Sequence, residues 1–209
     1  MRVVAYGQRA WLLELADAAE VRSVDAALRL LRAEGGGAWT PIVDVVPAAR
    51  TVMVTAASSA AATALRAPLD ALTDLPPQPA PMGDVVEIPV TYDGPDLEAV
   101  ARACGLDVDE VVAAHAGTPW TVAFGGFAPG FAYLADGDPR LRVGRRERPR
   151  TTVPAGAVAL ADGYSAVYPR RSPGGWQLLG RTSATLWDVC REQPALLRPG
   201  MRVLFRALT

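Results

Sequence analysis

The chain has 209 residues, half of them apolar, with a formal charge of -1 and a pI near 5.9; it has interior enough for one large domain or two small ones and no whole-chain attraction for nucleic acid or anionic membrane. All 21 basic residues are arginine and His115 is the single histidine, which excludes a P-loop, a Schiff-base or general-base lysine, an HExxH motif and any multi-histidine metal site, and leaves His115 as the one residue a Ser-His-Asp triad would have to use. No GxSxG or GxGxxG string occurs.

In chain order, MRVVAYGQRAWLLELAD has one early arginine, but Gly7, Gln8 and Arg9 break its apolar stretch and no cleavage-site pattern follows. No run approaches the ~18 to 20 apolar residues of a membrane span, so the expected location is cytoplasmic. Cys104 and Cys190 fit no CxxC pattern and are expected as buried, reduced thiols.

AWLLEL reads as a strand, and Ser23 is expected to cap a helix with Val24, Ala27, Leu28 and Leu31 on one face. Gly35 to Gly37 end it. IVDVV and TVMVT, separated by Pro47 and a short turn, predict a hairpin. Ser58 or Ser59 then caps an Ala-rich helix predicted to end before Pro68. Pro68, Pro76, Pro77, Pro79 and Pro81 make residues 65–84 an expected linker. The first domain is thus a small α/β sandwich with a Pro-rich linker over residues 1–82, with a second domain over 83–209.

In the second part VVEIPVTYDG is predicted as an edge strand, because Pro89 lacks a ladder donor. Two short helices follow, Asp96 to Cys104 and Asp107 to His115, capped by the aspartates and stopped by Gly105 and Gly117. Ten glycines and six prolines between Gly125 and Gly180 suit many short strands joined by tight turns, a β-barrel or sandwich. After the Pro199-Gly200 turn, MRVLFRAL is a last strand in which Val203 and Phe205 alternate with Arg202, Leu204 and Arg206.

The chemistry concentrates in GFAPGFAYL (126–134), VPAGAVAL (153–160) and YPRRSPGGWQLLGRT (168–182). Phe127, Phe131, Tyr133, Tyr168 and Trp176 either wall an apolar pocket that glycines let a ligand approach, or fill the barrel core. Six arginines between Arg140 and Arg150, offset by Glu147 alone, either grip a phosphate or carboxylate or form a solvated face. At a helix C-terminus the dipole would favour a charged His115, and such a histidine is more often a cap than a catalyst. Asp162 and Asp188 are possible acids or bases, but no spacing pairs them with His115.

The same strings, with DPRL at 138–141, RRERPRTTVPAGAVAL and the LWD after GRT, resemble the family of 5-oxoprolinase B subunits in order and spacing. This family is also described as allophanate hydrolase subunit 1 or Kip-type kinase inhibitor, the carboxyltransferase domain of subdomains C and D. The likeness extends through IPVTYDGPDLEAVA, the helix ending at His115 and PALLRPGMRVLF, and more loosely through the N-terminal half.

The resemblance implies an α+β protein, the small N-terminal α/β sandwich being followed by a cyclophilin-like β-barrel. It also implies a B subunit acting with a C subunit like part of a biotin-dependent carboxylase and with a separate A subunit. Together such subunits hydrolyse the lactam of 5-oxo-L-proline to L-glutamate, with ATP as co-substrate and no metal site evident in this chain. The family pattern matches His115, Phe127, Pro129, Gly130, Phe131, Arg145, Arg146, Arg150, Pro154, Gly156, Tyr168, Pro173, Gly174, Gly175, Trp176 and Gly180 without assigning individual roles. Of these, Phe127, Pro129, Gly130, Phe131, Arg145, Arg146, Arg150, Pro154, Gly156, Tyr168, Gly174, Gly175 and Trp176 are the expected substrate-binding positions. His115 and Arg150 are the catalytic candidates. Of the arginines, Arg150 is the first choice, since Pro149 before it stiffens the backbone, and Arg148 lies outside the matched positions.

Two departures stand out, Ala157 where the family has VPAGS, and Gly163-Tyr164-Ser165 where it has Gly-Gln-Thr. Beside the enzyme subunit stand two other readings, an inhibitor that binds a sensor histidine kinase and a subunit of an allophanate or urea-linked amide hydrolase.

Overall fold

The computed structural model describes residues 1–72 and 85–208. The chain divides into two compact units, Met1–Ala80 and Pro81–Thr209. The expected linker prolines Pro76, Pro77, Pro79 and Pro81, and the expected boundary between residues 82 and 83, lie outside the described residues.

In the first unit β1 (Arg2–Tyr6) and β2 (Ala10–Glu14) form an antiparallel hairpin. Gly7, Gln8 and Arg9, which interrupt the apolar stretch, are its turn, and β1 is a strand that the sequence reading missed. After α1 (Ala18–Ala33) come β3 (Ile42–Pro47), β4 (Thr51–Ala56) and α2 (Ser59–Asp70). The sheet order is β1-β2-β4-β3, antiparallel throughout. Val52, Val54 and Ala56 alternate along β4 and share one core with Val21, Val24 and Leu28 of α1 and Leu65 and Leu69 of α2.

Two helix boundaries differ from the sequence expectation. Asp17 caps α1, accepting the Glu20 N–H at 2.9 Å, while Glu20 reaches back to the Ala16 N–H. Ser23 lies inside the helix, buried, and donates to the Ala19 carbonyl. Helix α2 continues past Pro68 to Asp70. The proline removes one backbone donor near the helix end, but stopping there would expose Leu69, which is fully buried four residues after Leu65; burying one leucine contributes roughly 1.5 to 3 kcal/mol, comparable to the ~3 kcal/mol a helical proline costs.

The second unit contains β5 (Val85–Val90), α3 (Leu97–Cys104), α4 (Val108–Gly117), β6 (Trp120–Gly125) and β7 (Ala132–Ala135). Then follow β8 (Arg150–Val153), β9 (Ala157–Ala161), β10 (Tyr164–Val167), β11 (Ser172–Gly174), β12 (Gln177–Arg181) and β13 (Arg202–Ala207). Seven of the strands form a sheet of order β12-β9-β10-β7-β6-β13-β5, with β8 and β11 as a separate two-stranded ribbon. As expected from Pro89, β5 is the terminal strand, paired parallel to β13 alone.

Just beyond β5 the sheet curls back on itself. Thr91 and Arg181 exchange backbone hydrogen bonds of 2.9 Å, joining the two sheet ends into a nearly closed barrel. Gly180 permits this, since a side chain there would run into the Thr91 carbonyl. The α+β class and the barrel therefore hold. Val203 and Phe205 face the core with no exposure, as their alternation predicts.

Helix α4 begins with a complete capping box between Asp107 and Glu110. It runs through Gly117, the residue expected to stop it, to a cap at Thr118, where Pro119 ends it, two residues beyond the expected end at His115. Helix α3 ends at Gly105 in the left-handed region as expected, but the Asp96 side chain makes no capping bond. Among the described residues no helix is long and apolar enough to cross a membrane. Both cysteines are free thiols; Cys104 is half-buried, whereas Cys190 is exposed, contrary to the expectation that both are buried.

Candidate functional site

Three segments converge beside the barrel. The β6–β7 turn carries Phe127 and leads through Phe131 to Tyr133 in β7, Tyr168 follows β10, and Trp176 stands between β11 and β12. With Arg145, Gly174 and Gly175 these residues line a partly open cavity of about 50 Å³. The rings meet edge to face: Phe131 is 5.3 Å from Tyr168 and 5.7 Å from Trp176, and Phe127 is 5.1 Å from Phe131. This geometry sets positive ring edges against negative faces.

Pocket and core are here one object. Phe131, Tyr168 and Trp176 are buried in an apolar cluster with Val153, Ala159 and Leu178, yet they also line the cavity. Phe127 differs, being 58 % exposed, with a φ of 67° in the left-handed region that a bulky residue adopts only at a cost. Gly174 is required by contact, because a Cβ there would overlap the Tyr168 hydroxyl. Burial pushes the Tyr168 phenol above its usual range, although the Trp176 backbone hydrogen bond pulls the other way, so it is a neutral donor at physiological pH.

The predicted arginines separate into two groups. Arg145 is exposed and lines the cavity, its guanidinium 5.9 Å from the Trp176 ring centroid and 3.5 Å from the Asp162 carboxylate. Arg146 and Arg150 turn away to a shared partner. Asp96, buried, accepts from Arg146 Nη1 at 2.6 Å and Arg150 Nη2 at 2.8 Å through one oxygen, and from the Leu178 N–H at 2.7 Å through the other. Burial pushes the Asp96 carboxyl up, but the bonds from Arg150 and Leu178 and the two guanidinium charges outweigh it, so its pKa lies below the ordinary value. Arg150, the first choice among the arginines, is thus paired with Asp96 and is not among the residues that line the cavity.

The remaining predicted positions support the walls from behind. Pro129 and Gly130 form the turn after Phe127, with Gly130 close against Leu186 and Trp187. Pro154 and Gly156 lie in the β8–β9 turn, not among the lining residues; the Gly156 N–H donates to the Tyr168 carbonyl at 2.8 Å and its own carbonyl accepts from Thr182. Ala157, one of the two departures, is buried in the aromatic cluster, and its carbonyl takes the Tyr168 N–H.

His115 is not at this site. It is fully buried, stacked 4.4 Å from Phe205, and belongs to the barrel core. Its Nδ1 lies 2.7 Å from the Tyr92 hydroxyl and its Nε2 2.8 Å from Ser165 Oγ. Ser165 donates to the Ala159 carbonyl, so its oxygen is left to accept from an Nε2–H, and Tyr92 donates to Nδ1. The expectation of a charged cap is corrected: desolvation lowers the His115 pKa to about 3 and raises that of Tyr92, which outweighs the helix dipole. Ser165, at the other departure, is thus a core hydrogen-bond partner, while Tyr164 packs its ring 5.9 Å from Tyr133.

Sequence reasoning missed Asp96 as a site residue, treating it as a helix cap. The available signal was its place after Gly94-Pro95, which makes a tight entry to the helix; nothing in the string pairs it with arginines about fifty residues away. Among the described residues no group of three or more His, Cys, Asp or Glu side chains is placed to hold a metal ion.

The carboxyltransferase domain, subdomain C and D, family matches residues 1–197. The 5-oxoprolinase B subunit of Escherichia coli O157:H7 is 47 % identical over 128 residues, 60 % of this chain and 59 % of that protein. The chain therefore matches under two thirds of that relative's length. The solved structure of TTHA0988 is 40 % identical with a TM-score of 0.74, covering 96 % of this chain and 40 % of that one. The Kluyveromyces lactis urea amidolyase, 20 % identical, shares the fold with a TM-score of 0.80, covering 99 % of this chain and 15 % of that chain.

Proposed function

Because the chain belongs to the family of carboxyltransferase domains, subdomains C and D, we propose that it is the B subunit of an ATP-dependent 5-oxoprolinase. The complex would open 5-oxo-L-proline to L-glutamate. The observation that carries this reading is the aromatic pocket with Arg145 at its mouth. A flat five-membered lactam bearing a carboxylate needs ring edges and faces for its apolar atoms and a guanidinium fork for its charge. The name of the 47 % identical relative supports the substrate.

A lactam is a poor electrophile. Phosphorylating its oxygen would make an activated imidate; water adds to that carbon and the ring C–N bond breaks with protonation of the nitrogen, leaving an acyl phosphate that a second water hydrolyses to the glutamate carboxylate and phosphate. Within this chain Arg146 and Arg150 are engaged by Asp96 and there is no lysine, so the described residues do not fit a triphosphate. ATP is assigned to a partner subunit, and this chain binds and orients the lactam. The neutral Tyr168 hydroxyl is its donor toward the ring's polar edge.

The cavity, about 50 Å³, is well below the roughly 300 to 1,000 Å³ of an enclosed small-molecule site. A lactam must therefore sit partly in the mouth, where Phe127 is exposed and where a partner subunit would close over it. Trp187, 40 % exposed behind Gly130, adds apolar surface of the kind that intersubunit contacts cover. The partners proposed are a C subunit and an A subunit. Co-purification with both, followed by assay of glutamate and 5-oxoproline-dependent ADP, tests the reading: the assembly turns over and the isolated chain does not. Turnover by the chain alone, or an intact assembly indifferent to 5-oxoproline, overturns it.

A further inference from the structure

We infer that Asp96 is a positioning residue of this site, the anchor that holds the 145–150 segment so that Arg145 stays over Trp176. The inference rests on the reading of the pocket as the lactam site, and it assigns a role to a residue outside the pocket wall.

Asp96 gives up an ordinary task to do this. It occupies the N-cap position of α3, where an aspartate normally accepts a helix N–H and contributes ~1 kcal/mol. Its side chain makes no such bond. Both oxygens point to the other side, one to Arg146 and Arg150 and one to the Leu178 N–H at the start of β12. Trp176 and Gly175 lie immediately before that strand. The Arg146 N–H donates to the Gly175 carbonyl at 2.7 Å, and Pro149 lies 3.6 Å from the position a Cβ on Gly175 would take. A single carboxylate thus ties both ends of the arginine segment to the strand that presents Trp176, and Arg145 is the residue next to that tie.

Stability alone accounts poorly for the arrangement. Two guanidinium groups share one buried carboxylate oxygen, and Arg146 Nε and Arg150 Nη1 are buried with no acceptor among the described residues. Buried ion pairs contribute little net stability because desolvation opposes the attraction, and a carboxylate with surplus cations is a poor way to gain any. What the arrangement does supply is fixed geometry for the segment that carries Arg145.

The test uses Asp96→Asn in the assembled complex and in the isolated chain. Asparagine keeps the shape and one acceptor but loses the charge that holds two arginines and the acceptor facing Leu178. In the complex, KM for 5-oxoproline is expected to rise tenfold or more with kcat within threefold, and the rise should vanish in an Arg145→Ala background, since Asp96 acts through Arg145. In the isolated chain, hydrogen exchange at the Arg146 and Leu178 amides is expected to accelerate while the β9, β10 and β13 amides keep their protection. This second readout needs no activity, so it tests Asp96 even if 5-oxoproline is not the substrate. Unchanged exchange at Arg146 and Leu178 overturns the anchoring. Additive effects of Asp96→Asn and Arg145→Ala on KM overturn the action through Arg145, and uniformly faster exchange across the barrel reduces Asp96 to a folding residue.

Discussion

At the end of α4, His115 meets two opposing influences: the carbonyl end of the helix favours its cation, and removal from water opposes it. Burial wins because the ring is enclosed by Tyr92, Ser165 and aromatic faces, which offer its cation no countercharge. The consequence can be measured. With a folded pKa near 3 and an unfolded value of ~6.5, the unfolded chain takes up a proton first as pH falls. The contribution to stability is therefore complete above pH ~6.5 and declines steadily toward pH 3, by ~1.4 kcal/mol per pH unit at the steepest. Urea midpoints of the wild type should fall through this window, and those of His115→Gln should fall much less; equal slopes would contradict the assignment. Sequence could not show this, since one histidine at a helix end is compatible with solvent or core, and only the strand opposite, bearing Ser165, decides.

At the scale of elements, periodicity made most strands and helices legible, and the misses have physical causes. β1 was missed because its partner was needed to recognise a five-residue strand, and α1 was started late because Ser23, a good cap by composition, lies on the buried face. In α2, Leu69 keeps the helix going past a proline. Pro68→Ala should accordingly raise the stability of the first unit, as measured by thermal unfolding, by up to about 2 kcal/mol, since it restores a backbone donor at some cost in unfolded-state entropy. Leu69→Ala should lower it by roughly 2 to 5 kcal/mol. The β11 ribbon makes a sharper case: Gly174→Ala places a methyl against the Tyr168 hydroxyl and should cost ~1 to 3 kcal/mol through overpacking. Adding Tyr168→Phe removes the oxygen and should recover part of that loss, which differential scanning calorimetry of the single and double variants would show. No recovery would mean that Gly174 serves the backbone rather than the contact.

For the whole molecule, composition alone excluded lysine and multi-histidine chemistry, and the glycine-rich strings located the pocket. They could not divide the arginines. Arg145, Arg146 and Arg150 read alike in a string, and only the fold shows that Asp96 takes two of them and leaves Arg145 at the cavity. The central claim, that this pocket binds the lactam through Arg145, is tested by steady-state kinetics of 5-oxoproline-dependent ADP release by the assembled complex, comparing Arg145→Ala with Arg148→Ala. Arg148 is exposed on the same segment and does not line the cavity. A charge-assisted contact contributes about 1.5 to 3 kcal/mol, so Arg145→Ala should raise KM roughly ten- to hundredfold while Arg148→Ala stays within about twofold. Equal effects of the two substitutions, with assembly and thermal midpoint unchanged, would contradict it.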